Sequence, residues 1–117
     1  QEDWDHTAGG IMRIDIREDE SGCDVVWHSR EASPSVVPKF SAGNGLAYFY
    51  TFEKQADGKI AWYFTALDYA TGATQFKVLT GIGAAFDNNW APLTLGPDGT
   101  AYVGTAKGLV AIWDKDT

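Results

Sequence analysis

The chain is poor in the residues that carry metal, thiol and polyanion chemistry. It has one cysteine, Cys23, so it forms no internal disulfide and no cysteine-rich metal site. With no partner thiol and no basic neighbour in sequence, Cys23 reads as an ordinary turn-edge thiol. The two histidines, His6 and His28, are not at ligand spacing. Basic residues are outnumbered 9 to 16, for a formal charge of −7. That balance argues against nucleic acid or an anionic membrane surface as partner. No apolar run approaches the roughly 20 residues of a membrane-spanning helix, and the most hydrophobic stretch, Leu46–Phe52, has the length of a strand. The polar opening QEDWDH is unlike a signal peptide. Without an initial Met, the sequence reads as a mature product or an internal piece of a longer chain.

What the chain has is aromatic and turn-forming. Five Trp, five Tyr and six Phe among 117 residues supply a core, and 13 glycines point to many tight turns. The sequence also repeats. Residues 34–51 (PSVVPKFSAGNGLAYFYT) align without a gap on residues 88–105 (NNWAPLTLGPDGTAYVGT), 54 positions later. Pro38 falls on Pro92, Gly45 on Gly99, Ala47 on Ala101, Tyr48 on Tyr102 and Thr51 on Thr105. The segments 11–28, 62–79 and 108–117 share a strand, turn, strand layout, and Asp15, Asp68 and Asp114 each end the first strand. Repeats of this length announce an architecture built from stacked units.

No segment keeps a 3.6-residue apolar period. Leu46, Tyr48, Tyr50 and Phe52 alternate with Ala47, Phe49 and Thr51, as in a strand covered on both faces. Asn44-Gly45, Asp57-Gly58 and Asp98-Gly99 are hairpin-turn dipeptides. The pattern predicts an all-β chain of about nine strands, near 10–16, 24–28, 35–40, 46–53, 59–68, 73–79, 90–95, 100–105 and 108–113. Residues 31–37 and 81–89 read as loops. Four-strand antiparallel units of about 50 residues characterise β-propeller blades. After an N-terminal tail, 1–9, the partial propeller of 10–117 divides into three. Residues 10–28 are the outer strands of one blade, 35–79 a complete blade, and 90–113 the inner strands of a third. The repeat also predicts that Tyr48 and Tyr102 are buried alike, each costing about 3–5 kcal/mol if cut to Ala.

The pieces TALDYATGATQFKV and LGPDGTAYVGTAKGLVAI resemble blades of the PQQ-like, or quinoprotein, β-propeller family. Ala66, Leu67, Asp68, Thr71 and Gly72 match its characteristic turn. The following strand usually carries Trp; Phe76 stands there in this copy and Trp27 in the earlier one. The resemblance implies propellers of roughly six to eight blades, commonly extracytoplasmic: secreted or in the bacterial cell envelope. Some members bind pyrroloquinoline quinone and calcium and oxidise alcohols or sugars. Others hold no cofactor and act as scaffolds. A quinone site draws residues from many blades, so PQQ and calcium belong only to a complete propeller. Asp15, Asp68, Thr71, Gly72 and Asp114 are expected to build turns, because an Asp at a strand end accepts turn amides and Gly supplies a left-handed position. The aromatic of the following strand is expected to pack between blades.

For function, no Ser-His-Asp set, phosphate loop or paired carboxylates appear, and Gly81-Ile82-Gly83 is too short a motif to carry one. The acidic run 17–24 lacks the alternation of a calcium loop. The segment Asp87-Asn88-Asn89-Trp90 departs most from repeat symmetry. It leads from an outer strand to the next innermost strand, where propeller ligands approach, and its side chains suit stacking and hydrogen bonding to a sugar or other polar ring. The leading expectation is a non-catalytic binding or scaffold segment, partnered by the remaining blades or by identical subunits. The alternatives are a small oligomeric sugar-binding propeller and part of a quinoprotein dehydrogenase.

Overall fold

A computed structural model describes residues 9–34, 37–88 and 91–115. The described chain is all-β, in three antiparallel sheets of two, four and three strands. The first pairs β1 (Ile11–Ile16) with β2 (Cys23–Ser29). The second runs β3 (Lys39–Ser41), β4 (Leu46–Lys54), β5 (Ile60–Asp68) and β6 (Thr74–Ile82) as a meander. The third runs β7 (Leu93–Leu95), β8 (Ala101–Thr105) and β9 (Gly108–Ile112). Among the described residues no sheet closes on itself.

Most strand expectations fall within a few residues of these bounds, with two informative departures. β3 and β7 begin only at Lys39 and Leu93, each directly after a proline. Pro38 and Pro92 have no N–H to give a ladder, so pairing starts one residue later. In the other direction, β6 continues to Ile82, into the predicted loop, because irregularities at Trp62/Tyr63 and Ala66/Leu67 let it follow β5 to its start. The rest of that loop holds one turn of 3-10 helix, Ala84–Phe86.

Strand alternation gives each sheet two faces, and the sheets stack in one sense. From the middle sheet, Ala47, Phe49 and Leu67 turn toward the first sheet, where they cluster with Ile11 and with partly buried Trp27 and Tyr69. The opposite face carries Tyr48, Tyr50, Trp62, Phe64 and Ala66, which cluster with Leu93, Ala101 and Val103 of the third sheet. Tyr50 and Trp62 stack at 5.4 Å, as do Tyr48 and Phe64. Tyr50, Trp62 and Phe64 are all but fully buried, and each contributes about 2–3 kcal/mol by removal from water. Near the first sheet, buried Thr51 and Thr65 satisfy each other across strands at 2.6 Å. The strands β3 and β7, each the first of its sheet, lie side by side, with a parallel bridge between Val37 and Pro92.

The 54-residue relation survives in detail at the turns. Gly45 and Gly99 both take positive φ, 69° and 85°. Asn44 Oδ1 accepts the amide of Leu46 at 3.1 Å, and Asp98 Oδ1 accepts that of Thr100 at 3.0 Å, 54 residues on. The gapless alignment is corrected one strand inward. Ser41 pairs with Leu46, whereas Leu95 pairs with Ala101, so the second turn holds one residue more. A slip of one residue exchanges the faces of a strand. Phe40 therefore points with Ala47 toward the first sheet and meets Tyr69 at 4.3 Å, while Leu93 points with Val103 into the second core.

The first two sheets are joined by a clamp at the turn 68–73. Asp68 Oδ1 accepts the amides of Ala70 and Thr71, and the Gly72 amide bonds to Asp68 O at 2.7 Å. Gly72 has φ 78°, and a Cβ there would stand 2.5 Å from the Trp27 ring. The turn thus needs glycine for its backbone and for the indole lying on it. Trp27 Nε1 and Arg13 Nη1 both donate to Tyr69 O, at 2.7 and 2.9 Å, and the Arg13 guanidinium sits 4.0 Å over the Tyr69 ring.

Candidate functional site

The segment Asp87-Asn88-Asn89-Trp90, expected to contact a ligand, falls in the connection from β6 to β7. The described part of that connection, 83–88 with 91 and 92, is lashed to both neighbouring sheets. Phe86 lies over Gly81, where a Cβ would meet its ring at 2.4 Å. Phe86 O accepts the Tyr50 hydroxyl at 2.8 Å, and the Tyr50 hydroxyl oxygen lies 2.7 Å from Thr80 Oγ1. Asp87 O accepts the amide of Ala106, and Ala85 O that of Lys107, which ties the connection to the β8–β9 turn. Buried Asn88 donates through Nδ2 to Ala91 O, and the Ala91 amide returns to Asn88 O at 3.0 Å. Asn88 is therefore tied to Ala91 through both its side chain and its backbone carbonyl. Asn89 and Trp90 lie outside the described residues. Burial pushes the Tyr50 phenol up to about 12, helped by the nearby Asp87 charge and opposed by the bond with Thr80. Tyr50 stays protonated through the physiological range and serves this connection as a hydrogen-bond donor.

The three aspartates of the repeat have different surroundings. Asp68 closes its turn as described, with Ala73 N on Thr71 Oγ1 at 3.3 Å completing it. Asp15 lies within β1, and both its oxygens take Arg13, at 2.9 and 2.7 Å. The Arg13 guanidinium holds its carboxyl below the usual range. Asp114 is exposed and sits two residues past the end of β9. Ile112 stands opposite Ala101 as Leu67 stands opposite Ala47, so Asp114 falls one residue beyond the place that Asp68 holds.

The acidic run 17–24 is a hairpin turn closed by Arg17, whose guanidinium bonds to Asp24 Oδ1 at 2.8 Å. Asp19 caps the Ser21 amide. Cys23 and His28 are exposed on β2. Among the described residues no group of three or more His, Cys, Asp or Glu side chains gathers as a metal site would require, and no helix is long and apolar enough to cross a membrane.

Sequence reasoning missed three features. Arg13 stands two residues before Asp15, hence on one strand face, and that spacing was a usable signal. Lys77 bridges Glu31 at 2.9 Å and Glu53 at 2.7 Å and lies 4.6 Å over the Tyr63 ring. Nothing in the spacing 31, 53, 77 announces that network. The third feature is a groove of ≈ 330 Å³ between β6 and β9, lined by Val78, Leu79, Thr80, Val110, Ile112 and Trp113.

No family model matches the chain, and no curated protein resembles it significantly.

Proposed function

We propose that the chain is a run of quinoprotein-like β-propeller repeats that binds or scaffolds and does not catalyse. The observation that carries this reading is the sense of the stack. Each junction brings the same face of one sheet against the opposite face of the next, and the Asn44-Gly45 and Asp98-Gly99 turns recur in the same geometry. A head-to-tail interface of this kind continues until it closes or is capped. On this reading the outer faces, with Met12, Ile14 and Ile16 at one end and Leu109 and Trp113 at the other, are covered by further sheets of the same type. Those sheets come from remaining blades or from identical subunits, in an extracytoplasmic protein. On this reading Asp87 and Asn88 stand on the face that ligands approach, as a secondary contact and not as a reaction centre.

Electron microscopy of the natural gene product tests the architecture: a ring of radial sheets is expected, and an open linear stack contradicts it. Dye reduction with alcohols or sugars, after addition of PQQ and calcium to the same product, tests the role. No turnover is expected, and turnover would move the protein to the dehydrogenases.

A further inference from the structure

We propose that Asn44 is a site of covalent self-modification, deamidation through the backbone of Gly45, and that the Tyr48 hydroxyl is the latch that keeps the reaction slow in the folded chain.

Of the three asparagines, Asn44 is the one followed by glycine, and it is exposed in the turn between β3 and β4. Glycine has no Cβ to keep its nitrogen from the neighbouring carboxamide. The only co-reactant is water. The Gly45 nitrogen gives up its proton to solvent and attacks Asn44 Cγ. The N–Cγ bond forms, the Cγ–Nδ2 bond breaks, and Nδ2 takes up a proton and leaves as ammonia. Water then opens the cyclic imide at one of its two carbonyls. One opening leaves aspartate at position 44; the other leaves isoaspartate, which adds a methylene to the main chain.

The folded turn engages every atom of the first step. Gly45 N donates to Ser41 O at 2.9 Å, so its proton is held. Asn44 Oδ1 accepts the amide of Leu46 at 3.1 Å, and Nδ2 donates to the Tyr48 hydroxyl at 2.9 Å. The Tyr48 ring is buried and stacked on Phe64, which moors a surface carboxamide to the core. Gly45 O accepts the Tyr69 amide at 2.9 Å, so the glycine is also fixed to the clamp between the first two sheets. Attack requires the carboxamide to release both partners and the Gly45 amide to leave Ser41 O.

The repeat shows which product the fold accepts. Asp98 holds the same place 54 residues on, with Oδ1 on the Thr100 amide, Gly99 N on Gly96 O and Gly99 at φ 85°. A carboxylate at position 44 can keep the bond to Leu46, while the Tyr48 hydroxyl reverses and donates. Isoaspartate lengthens the main chain between Ser41 and Leu46, which pair directly, and draws Gly45 O off the Tyr69 amide.

The test is incubation of the full chain in mildly alkaline buffer, folded and in guanidinium chloride, with the fragment bearing Asn44 followed by mass spectrometry. The amide-to-acid mass gain is expected at Asn44 in both, at least about tenfold slower in the folded chain. Tyr48→Phe should speed the folded reaction about fivefold, the worth of one hydrogen bond. Tyr50→Phe loses bonds to Phe86 O and Thr80, away from this turn, and should leave the rate within about twofold. Asn44→Asp should unfold at the same denaturant concentration as the unmodified chain, and the isoaspartate fraction at a lower one. No mass gain at Asn44 in guanidinium chloride overturns the site. Equal rates in the two states, or equal acceleration by Tyr48→Phe and Tyr50→Phe, overturn the latch. An Asn44→Asp chain as unstable as the isoaspartate fraction overturns the accepted product.

Discussion

Tyr48 and Tyr102 hold one place in the repeat and live in different surroundings. Tyr48 belongs to a sheet covered on both faces, is 9% exposed, and stacks on Phe64 inside the second core. Tyr102 turns to the uncovered face of the third sheet, beside Ala111, and is only partly buried. The same contrast separates Trp27, docked on the turn of the next sheet, from Phe76, which has no described turn to dock on. In a stack of repeated sheets the weight of a residue is set by the neighbour that covers it, not by its own position in the unit.

The largest expected effect sharpens this contrast within the middle sheet. Tyr50→Ala removes a ring that is 1% exposed together with its bonds to Phe86 O and Thr80, and should cost about 3–5 kcal/mol in chemical denaturation. Tyr48→Ala should follow closely, whereas Tyr102→Ala should cost about 1 kcal/mol or less in the isolated chain. Equal losses at Tyr48 and Tyr102 would mean that the third sheet is covered on both faces. Next comes the clamp. Gly72→Ala places a methyl into the Trp27 ring at a positive φ and should cost about 2–3 kcal/mol. It should also red-shift the Trp27 component of fluorescence, isolated by replacing the other four tryptophans with Phe where the fold tolerates it.

A smaller effect compares two aspartates. Asp68→Ala removes an acceptor shared by two turn amides and should cost about 1 kcal/mol by thermal unfolding. Asp114→Ala should stay within about 0.5 kcal/mol. The last effect is one of pH. Tyr50 titrates near 10.0 when unfolded and about 12 when folded, so its contribution is intact below pH 10. Between 10 and 12 only the unfolded chain releases the proton, and stability falls as pH rises. Tyr50→Phe, though less stable at neutral pH, should lose that alkaline slope; an unchanged slope would assign it to other groups.

Residue pattern made part of this legible. Period-two alternation in Leu46–Phe52 and the Asn-Gly and Asp-Gly turns placed the strands, because those signals are local. The turn around Asp68 was readable for the same reason: its acceptor and its glycine lie within four residues of each other. The one-residue slip of β7 was not, since a turn holding one residue more leaves no gap in an alignment by eye. Nor was the burial of Tyr48 against Tyr102, which depends on which sheets are present. At the candidate connection, the residue types suggested a ligand surface. The structure shows Asn88 bracing Ala91, and Asp87 and Phe86 accepting bonds through their backbone carbonyls, contacts that only the folded path of the chain creates.

The central claim is that the three sheets stack face to face in one sense, with the aromatic face of the middle sheet against β7 and β8. Proton NOEs from the ring protons of Tyr48 and Tyr50 report on it directly. The stack predicts cross-peaks to the methyls of Leu93 and Val103, and none from the Tyr102 ring to the methyls of another sheet. Cross-peaks from Tyr48 and Tyr50 to Ile11 or Ile14 in place of Leu93 and Val103 would contradict it.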